Sequence, residues 1–559
     1  MKTVKKLGLL SSAVVILGIA VTGCGNSNSA NSNVSGKSSN QATSNSSAGK
    51  AQPILMLPTP EGSYQKNFNP FSTTADYGAI GLVYEPLFYY DGLTGKKFPF
   101  LGKTMTWSNG NKTLTVQLNT KAKWSDGKPF TAQDVVYTFQ ILKKNPSLDL
   151  NGVWQKLNSV KAKGTSAVVF NFKQADVPFA MYVLETYIVP KHIWKNISNP
   201  AKNLNASPVG TGPYTLQSFT SQDIKYKANP NYYKGKPPVP EVEIPAYNGN
   251  NSATLALTQG KLDWTGLFIP NIKKIYTSKK STNNYWFPPT QIFSLLPNFQ
   301  NPLLSKKVVR QAMSLAINRK ALAQKAEYGF EQVAQPNAVS PSQSKWLDPN
   351  LTASEKSFTY SVSKAKQLLQ NAGYKENGSG VMVSPSGKQL KFNLITVAGW
   401  TDWDMQASMI AQDLKQIGIK VNVQQEQNAS YQANLKAHKF QLAVSAANGG
   451  PNPYYVFDAL LRTKGASNWM AYSNKTVDKA LNTFAGTTDP TKQKQSIYTI
   501  EKVMANDLPT IPLTYNATWY EFSTAKYTGW PSKNNPYVSP SVWNRPAASI
   551  ILMHLKPAK

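Results

Sequence analysis

One cysteine, three histidines and four arginines in 559 residues remove several kinds of chemistry at the outset. A lone Cys24 forms no internal disulfide and no thiolate metal cluster. His192, His438 and His554 show no metal-ligand spacing, and His192, after Pro190-Lys191, reads as a surface residue at a helix start. There is no Gly-x-Ser-x-Gly elbow and no glycine loop of the phosphate-cradling kind. No catalytic constellation, metal site or cofactor is therefore expected. Catalysis by paired carboxylates, as in a cell-wall hydrolase, would need two acids that nothing in the sequence singles out. Acids are themselves scarce, 28 against 60 Lys and Arg, for a formal net charge of +32. Such a balance raises the question of an anionic partner. Nucleic-acid sites, however, favour the arginine fork, and Arg310, Arg319, Arg462 and Arg545 are the only arginines. The lysines are scattered, with no run longer than two. The charge reads as a solvated surface facing acidic or anionic surroundings, where carboxylates lose their pairing value by protonation. No nucleic-acid partner is expected.

Long apolar runs are also missing, except for one. Lys2, Lys5 and Lys6 precede the apolar stretch Leu7 to Val21, which is too short and wrongly flanked for a stable membrane span. Val21-Thr22-Gly23-Cys24 then follows the order aliphatic, small, small, cysteine, the cleavage pattern of bacterial lipoproteins. The expectation is a signal peptide over 1–23 and lipid attachment at Cys24. Residues 24–51 are mostly Asn, Ser, Gly and Ala. With no apolar face to bury they form a disordered tether, reaching roughly 25–30 Å on average.

The remaining 500 or so residues are too many for one core, so two or three domains are expected. Strand and helix patterns alternate along them. Leu114, Val116 and Leu118 alternate with polar residues, as in a half-buried strand. Thr131 with Asp134 forms a capping-box pattern ahead of Val135, Phe139 and Leu142 at helical spacing. Gly373 and Gly418 end two further helices, and Asp489-Pro490 begins another. Mixed order of this kind argues an α/β fold class.

The stretch Trp124-Ser125-Asp126-Gly127-Lys128-Pro129-Phe130-Thr131-Ala132-Gln133-Asp134-Val135 resembles the signature of the family 5 extracellular solute-binding proteins, the oligopeptide-type receptors of bacterial ABC importers. More family-like pieces follow in order: Pro208-Val209-Gly210-Thr211-Gly212-Pro213-Tyr214, Asn229-Pro230-Asn231-Tyr232-Tyr233-Lys234-Gly235, Gly260-Lys261-Leu262-Asp263, Val309-Arg310-Gln311-Ala312-Met313 and Leu508-Pro509-Thr510-Ile511-Pro512-Leu513. The resemblance implies a two-lobe fold like that of type II periplasmic binding proteins, with an extra domain inserted in lobe I. By similarity lobe I comprises 52–85, 208–300 and 525–559. The inserted domain covers 86–207 and lobe II covers 301–524. The implied mechanism is hinge closure on a ligand, then docking on membrane permease subunits. The chain would act as a monomer on the extracellular face of the cytoplasmic membrane, anchored by its lipid.

Peptide-binding members hold the ligand's amino group with an acid in a loop of lobe II. The matching stretch here, Ser445-Ala446-Ala447-Asn448-Gly449-Gly450-Pro451-Asn452-Pro453-Tyr454-Tyr455, carries no acid before Asp458. That stretch, with Gly399-Trp400-Thr401-Asp402-Trp403 and Gly529-Trp530-Pro531, is similar to the branch that includes oligosaccharide-binding members. Aromatic faces with amides and carboxylates suit sugars, while peptides are the commonest ligand of the family. The expected ligand is a short peptide, with an oligosaccharide as the alternative. A hydrolase or a surface receptor without transport is a distant third. Candidate ligand-binding residues are Asn69, Phe71, Trp400, Asp402, Trp403, Asn448, Gly449, Asn452, Tyr454 and Trp469; Tyr455 and Trp519 also offer aromatic faces, although most such rings simply pack cores. Glu85-Pro86 reads as structure beside the hinge. The anchor reading is checked by a Cys24→Ala variant: it should fold and bind ligand normally but appear in the culture medium rather than in the membrane fraction.

Overall fold

The structure is a computed structural model and describes residues 51–60, 62–465, 467–543 and 546–559, with the side chain of Asn448 also left undescribed. The signal peptide, Cys24 and all but the last residue of the tether lie outside the described residues.

Two sheets organise the fold. The first has seven strands in the order Asn283–Tyr285, Glu521–Ser523, Trp264–Thr265, Ile54–Leu57, Glu241–Pro245, Asp223–Ala228 and Tyr214–Thr220. The short apolar run Ile54–Leu57 lies at its middle, parallel to both neighbours. Three of its four residues are buried, as a strand covered on both faces requires. The second sheet has six strands in the order Gln332–Val333, Ile511–Ala517, Pro289–Pro297, Leu442–Asn448, Lys391–Val397 and Lys420–Glu426.

The chain crosses from the first sheet to the second between Tyr285 and Pro289, and returns between Ala517 and Glu521. These crossings differ from the expected boundaries at 300/301 and 524/525. Pro289–Pro297 pairs on both sides within the second sheet. Its run Ile292 to Pro297 is wholly buried, an environment that only a central strand offers. Glu521–Ser523 pairs within the first sheet.

A third, antiparallel sheet, Gly102–Ser108, Thr113–Leu118, Ala167–Phe172 and Leu157–Lys163 in that spatial order, lies within the segment 86–207. The helix Ala132–Lys144 starts at Thr131, where the capping box with Asp134 is formed. It buries Val135, Phe139 and Leu142. This segment has no separate core. Val116, Phe139, Phe170 and Trp194 belong to one buried cluster with Ile54, Met56 and Trp264 of the seven-stranded sheet. The second lobe has two clusters of its own, one on Phe457, Leu481 and Ile500, the other on Val309, Met313 and Leu394.

The family-like motifs mostly hold the lobes together. Gly210 and Gly212 face the carbonyls of Val83 and Leu82, where no Cβ would fit. Gly212 N–H and Tyr214 N–H donate to those same carbonyls. Tyr232 donates its hydroxyl proton to Glu85 at 2.5 Å, and Tyr233 to the same oxygen at 3.4 Å. Arg310 donates to the carbonyls of Leu304, Ser305, Asp507 and Leu508 and pairs with Asp507 at 2.9 Å. Arg319 donates to the Pro512 carbonyl and to Ser314. Both arginines thus pin the segment Leu508 to Pro512 by charge-assisted bonds, and removing either would leave buried carbonyls unpaired.

Several carboxyls are buried without a basic partner close enough to offset the loss of water. Burial pushes Glu85 up to about 7, against the lowering influence of Lys234 and its tyrosine bonds. Burial likewise raises Glu501 to about 7 and Glu521 to about 8 from an ordinary 4.5. Glu521 accepts bonds from Thr265 Oγ1 at 2.7 Å and Leu267 N at 3.0 Å, which oppose the shift without cancelling it. A carboxyl raised on folding binds its proton more tightly in the native state. Its stabilising contribution is complete below the unfolded value and is lost as pH rises through the folded one. The melting temperature should therefore be highest near pH 4–5 and fall between about 4.5 and 8. Glu521→Gln, which mimics the protonated form, should flatten that fall when thermal unfolding is followed by circular dichroism across the range.

Candidate functional site

Three chambers run in series between the lobes. The largest, about 650 Å³, is walled by Gly266, Phe268 and Trp543 on the side of the first lobe. Gln291, Trp400 to Trp403 and Asn516 face them from the second, and Thr518 and Trp519 from the returning crossing. A middle chamber of about 140 Å³ shares Thr290, Gln291, Thr518 and Trp543 with it. A third, about 300 Å³, shares Tyr90, Met181 and Pro451 with the middle one.

Local sequence explains the largest chamber. Two residues beyond strand Lys391–Val397 stands Gly399, whose φ of +84° is one that glycine adopts without strain. The chain then turns into the helix Thr401–Lys415. Trp403 is held by ring contacts with Phe293 and Tyr431. It braces Trp400 edge-on at 4.7 Å. Trp400 remains 43% exposed, unusual for so large an apolar ring. Trp519 is packed among Phe268, Phe287 and Phe330 at 5.0, 4.8 and 6.2 Å. The wall thus presents aromatic faces whose edges are already fixed.

The same chamber has an acidic floor. Burial raises Asp402, opposed by backbone N–H groups at the helix start. Behind it lie Glu327 and Glu331. Burial raises both, and each is pushed further by a neighbouring carboxylate. Gln406 donates to Glu327 at 2.7 Å. Asn516 Nδ2 and the Ala517 N–H donate to Glu331 at 2.7 and 3.0 Å. The middle chamber is narrowed by main chain. A Cβ on Gly92 would lie 3.0 Å from the Gly449 carbonyl oxygen, and one on Gly449 would lie 2.9 Å from that of Thr290. Among the described residues lining it, Glu185 is the one that carries charge, accepting from Tyr90 N at 2.7 Å.

Of the residues singled out by sequence, Trp400, Asp402 and Trp403 share the largest chamber, Gly449 lines the middle one and Asn452 the third. The backbone of Asn448 pairs opposite Gln291. Four others line none of the three. Asn69 is buried, donating to the carbonyls of Pro200 and Asn203 and accepting from Phe71 N, so its amide is spent on the loop. Phe71 packs edge-on against Trp194 in the core of the first lobe. Tyr454 is buried and stacks on Phe484 at 4.5 Å. Trp469 packs on the core of the second lobe, its carbonyl 2.6 Å from His438 Nδ1.

Residues that sequence reasoning missed include Phe268, Gln291, Thr518 and Trp543, with Lys97 and Lys345 in the third chamber. Thr290-Gln291 did carry a signal, an uncharged polar pair opening an otherwise buried strand. Trp543 and Lys345 lie in irregular or short helical segments with no periodic pattern to read.

Residues 98–468 match the family described as bacterial extracellular solute-binding proteins, family 5 Middle. The chain is 27% identical over 534 residues to the oligopeptide-binding protein AppA of Bacillus subtilis, covering 92% of this chain and 94% of that protein. Among solved structures, the periplasmic oligopeptide-binding protein of an oligopeptide ABC transporter from Thermotoga maritima superposes with a TM-score of 0.83 at 28% identity, covering 91% of this chain and 98% of that one. Its mannohexaose-bound form superposes with a TM-score of 0.76 at the same identity and coverage. Substituting Gly449 tests the narrow waist: Gly449→Val should lower unfolding free energy by about 1–3 kcal/mol, as overpacking against fixed backbone does, when measured by urea denaturation.

Proposed function

The chain belongs to the bacterial extracellular solute-binding proteins, family 5, and we propose that it is the substrate-binding receptor of an ABC importer. It captures short peptides between its two lobes outside the cytoplasmic membrane and delivers them to a membrane permease. The observation that carries the reading is the chambered cleft whose walls come from both lobes. The lobes are joined by two neighbouring crossings. Trp286 N donates to the Tyr520 carbonyl at 3.0 Å, and Thr518 N to the Pro288 carbonyl at 2.9 Å. Two short strands of chain tied to each other form a hinge about which the lobes close. Residues 52–285 and 521–559 form lobe I, with 86–207 inserted, and 289–517 form lobe II. The likeness to an oligopeptide-binding protein over nearly the whole chain supports a peptide ligand.

The role is binding, not catalysis, and it is that of a monomer. Cys24 carries the lipid that holds the receptor at the outer face of the membrane. The tether keeps it at high effective concentration beside its permease. A second reading, an oligosaccharide ligand, is favoured by the exposed ring of Trp400 beside Trp519 and Trp543 and by the mannohexaose complex of the Thermotoga protein.

Thermal unfolding with candidate ligands tests the reading. A tri- to pentapeptide at about 100-fold its dissociation constant should stabilise the protein by about 2.7 kcal/mol. Mass spectrometry of ligand released from freshly purified protein should find peptides. Oligosaccharides in both assays would select the second reading, and no effect from either class would overturn the receptor assignment.

A further inference from the structure

A second seam joins the lobes at the opposite end of the chambers from the crossings. The series begins at Thr518 and Trp519 on the returning crossing and ends at Val177, Pro178, Tyr455 and Phe484. Val177 and Pro178 belong to the inserted segment, Tyr455 and Phe484 to lobe II.

At this end the helix Lys475–Ala485 of lobe II stops at Gly486. The last carbonyls of a helix have no partner within it, and two of these find theirs in the other lobe. Val177 N donates to the Ala485 carbonyl at 2.8 Å. Asn111 Nδ2 donates to the Gly486 carbonyl at 3.2 Å. Asn111 stands in the turn between the strands Gly102–Ser108 and Thr113–Leu118, at a φ of +62°. A third bond runs the other way: the buried Tyr455 hydroxyl donates to the Pro178 carbonyl at 3.0 Å. Tyr182 of the inserted segment meets the Tyr455 ring edge-on at 6.2 Å. Met181 and Tyr182 also pack on the core of lobe II. Lys156 pairs with Asp176 at 2.8 Å, which ties the donating segment to the inserted domain.

Both partners of each seam bond belong to the chain, so a ligand in the cleft takes no part in them. Opening about the crossings parts Val177 from Ala485 and Asn111 from Gly486, and returns the helix end to water. Such contacts stabilise the closed state by the same amount whatever the cleft holds, and so scale the apparent affinity of every ligand by one factor. Residues that touch a ligand discriminate between ligands instead.

We infer that the inserted segment is a latch. It caps the end of the helix Lys475–Ala485 when the lobes close, and thereby sets how long the closed receptor holds its cargo, independently of the cargo's chemistry. The inference rests on the receptor reading above.

The double variant Asn111→Gly, Tyr455→Phe tests it on the full chain. Glycine keeps the left-handed turn, and phenylalanine keeps the ring that lines the third chamber. Circular dichroism checks that the variant folds. Release of trialanine, pentaalanine and mannohexaose is followed by stopped-flow tryptophan fluorescence. Every probe that binds the parent should leave the variant about tenfold faster, as the loss of two net hydrogen bonds implies, and by the same factor for each. Unchanged release would overturn the latch. So would factors that differ from probe to probe, which would make Asn111 or Tyr455 a ligand contact. Failure of all three probes to bind the parent would count against the receptor reading instead. Small-angle scattering without ligand then decides the latch: a larger radius of gyration in the variant supports it, and equal radii overturn it.

Discussion

The two crossings between the sheets, bonded to each other through Trp286, Tyr520, Thr518 and Pro288, are the constraint on which the rest depends. Because the chain passes between lobes only there, each lobe must complete its own sheet and core. The first does so with strands drawn from both ends of the sequence, Ile54–Leu57 near one and Glu521–Ser523 near the other. The second is built from the segment between the crossings. What remains between them is a gap lined by strand ends, helix starts and loops, where polar groups face space rather than one another. That gap holds the three chambers.

Acids in this chain are few, and several are placed where water is excluded. Glu85, Glu501 and Glu521 lie in the lobes; Glu327 and Glu331 lie under the cleft. Their neighbours are amides, hydroxyls and backbone N–H groups more than cations. A surface dominated by lysine surrounds buried acids that hold their protons more tightly than free carboxyls do.

Much of the fold was legible in the sequence. Thr131 with Asp134, Asp489 with Pro490, and the glycines that end helices announce themselves locally, because caps depend on neighbours within a turn. The strand Thr113–Leu118 was readable from its alternation for the same reason. The first crossing lies twelve residues earlier than expected, at 289 rather than 301, and the second four earlier, at 521 rather than 525, since a run such as Ile292 to Leu296 reads equally well in either lobe until its partners are known. Half of the cleft was legible: the Trp400 to Trp403 turn and the Gly449 loop carry unusual residues in a row. Trp543, Phe268 and Lys345 were not, because their meeting is a product of long-range topology. Asn69 and Phe71 misled for the opposite reason. A polar residue beside an aromatic in a loop looks available, but here the loop consumes both.

Trp519 stands in two structures at once. Its ring is part of the wall of the largest chamber and also part of the packing of Phe268, Phe287 and Phe330 around the returning crossing. The contacts with Phe287 and Phe330 are ring edge against ring face and that with Phe268 is tilted; none is a hydrogen bond. A guest in that chamber would rest against the same indole that packs on the crossing.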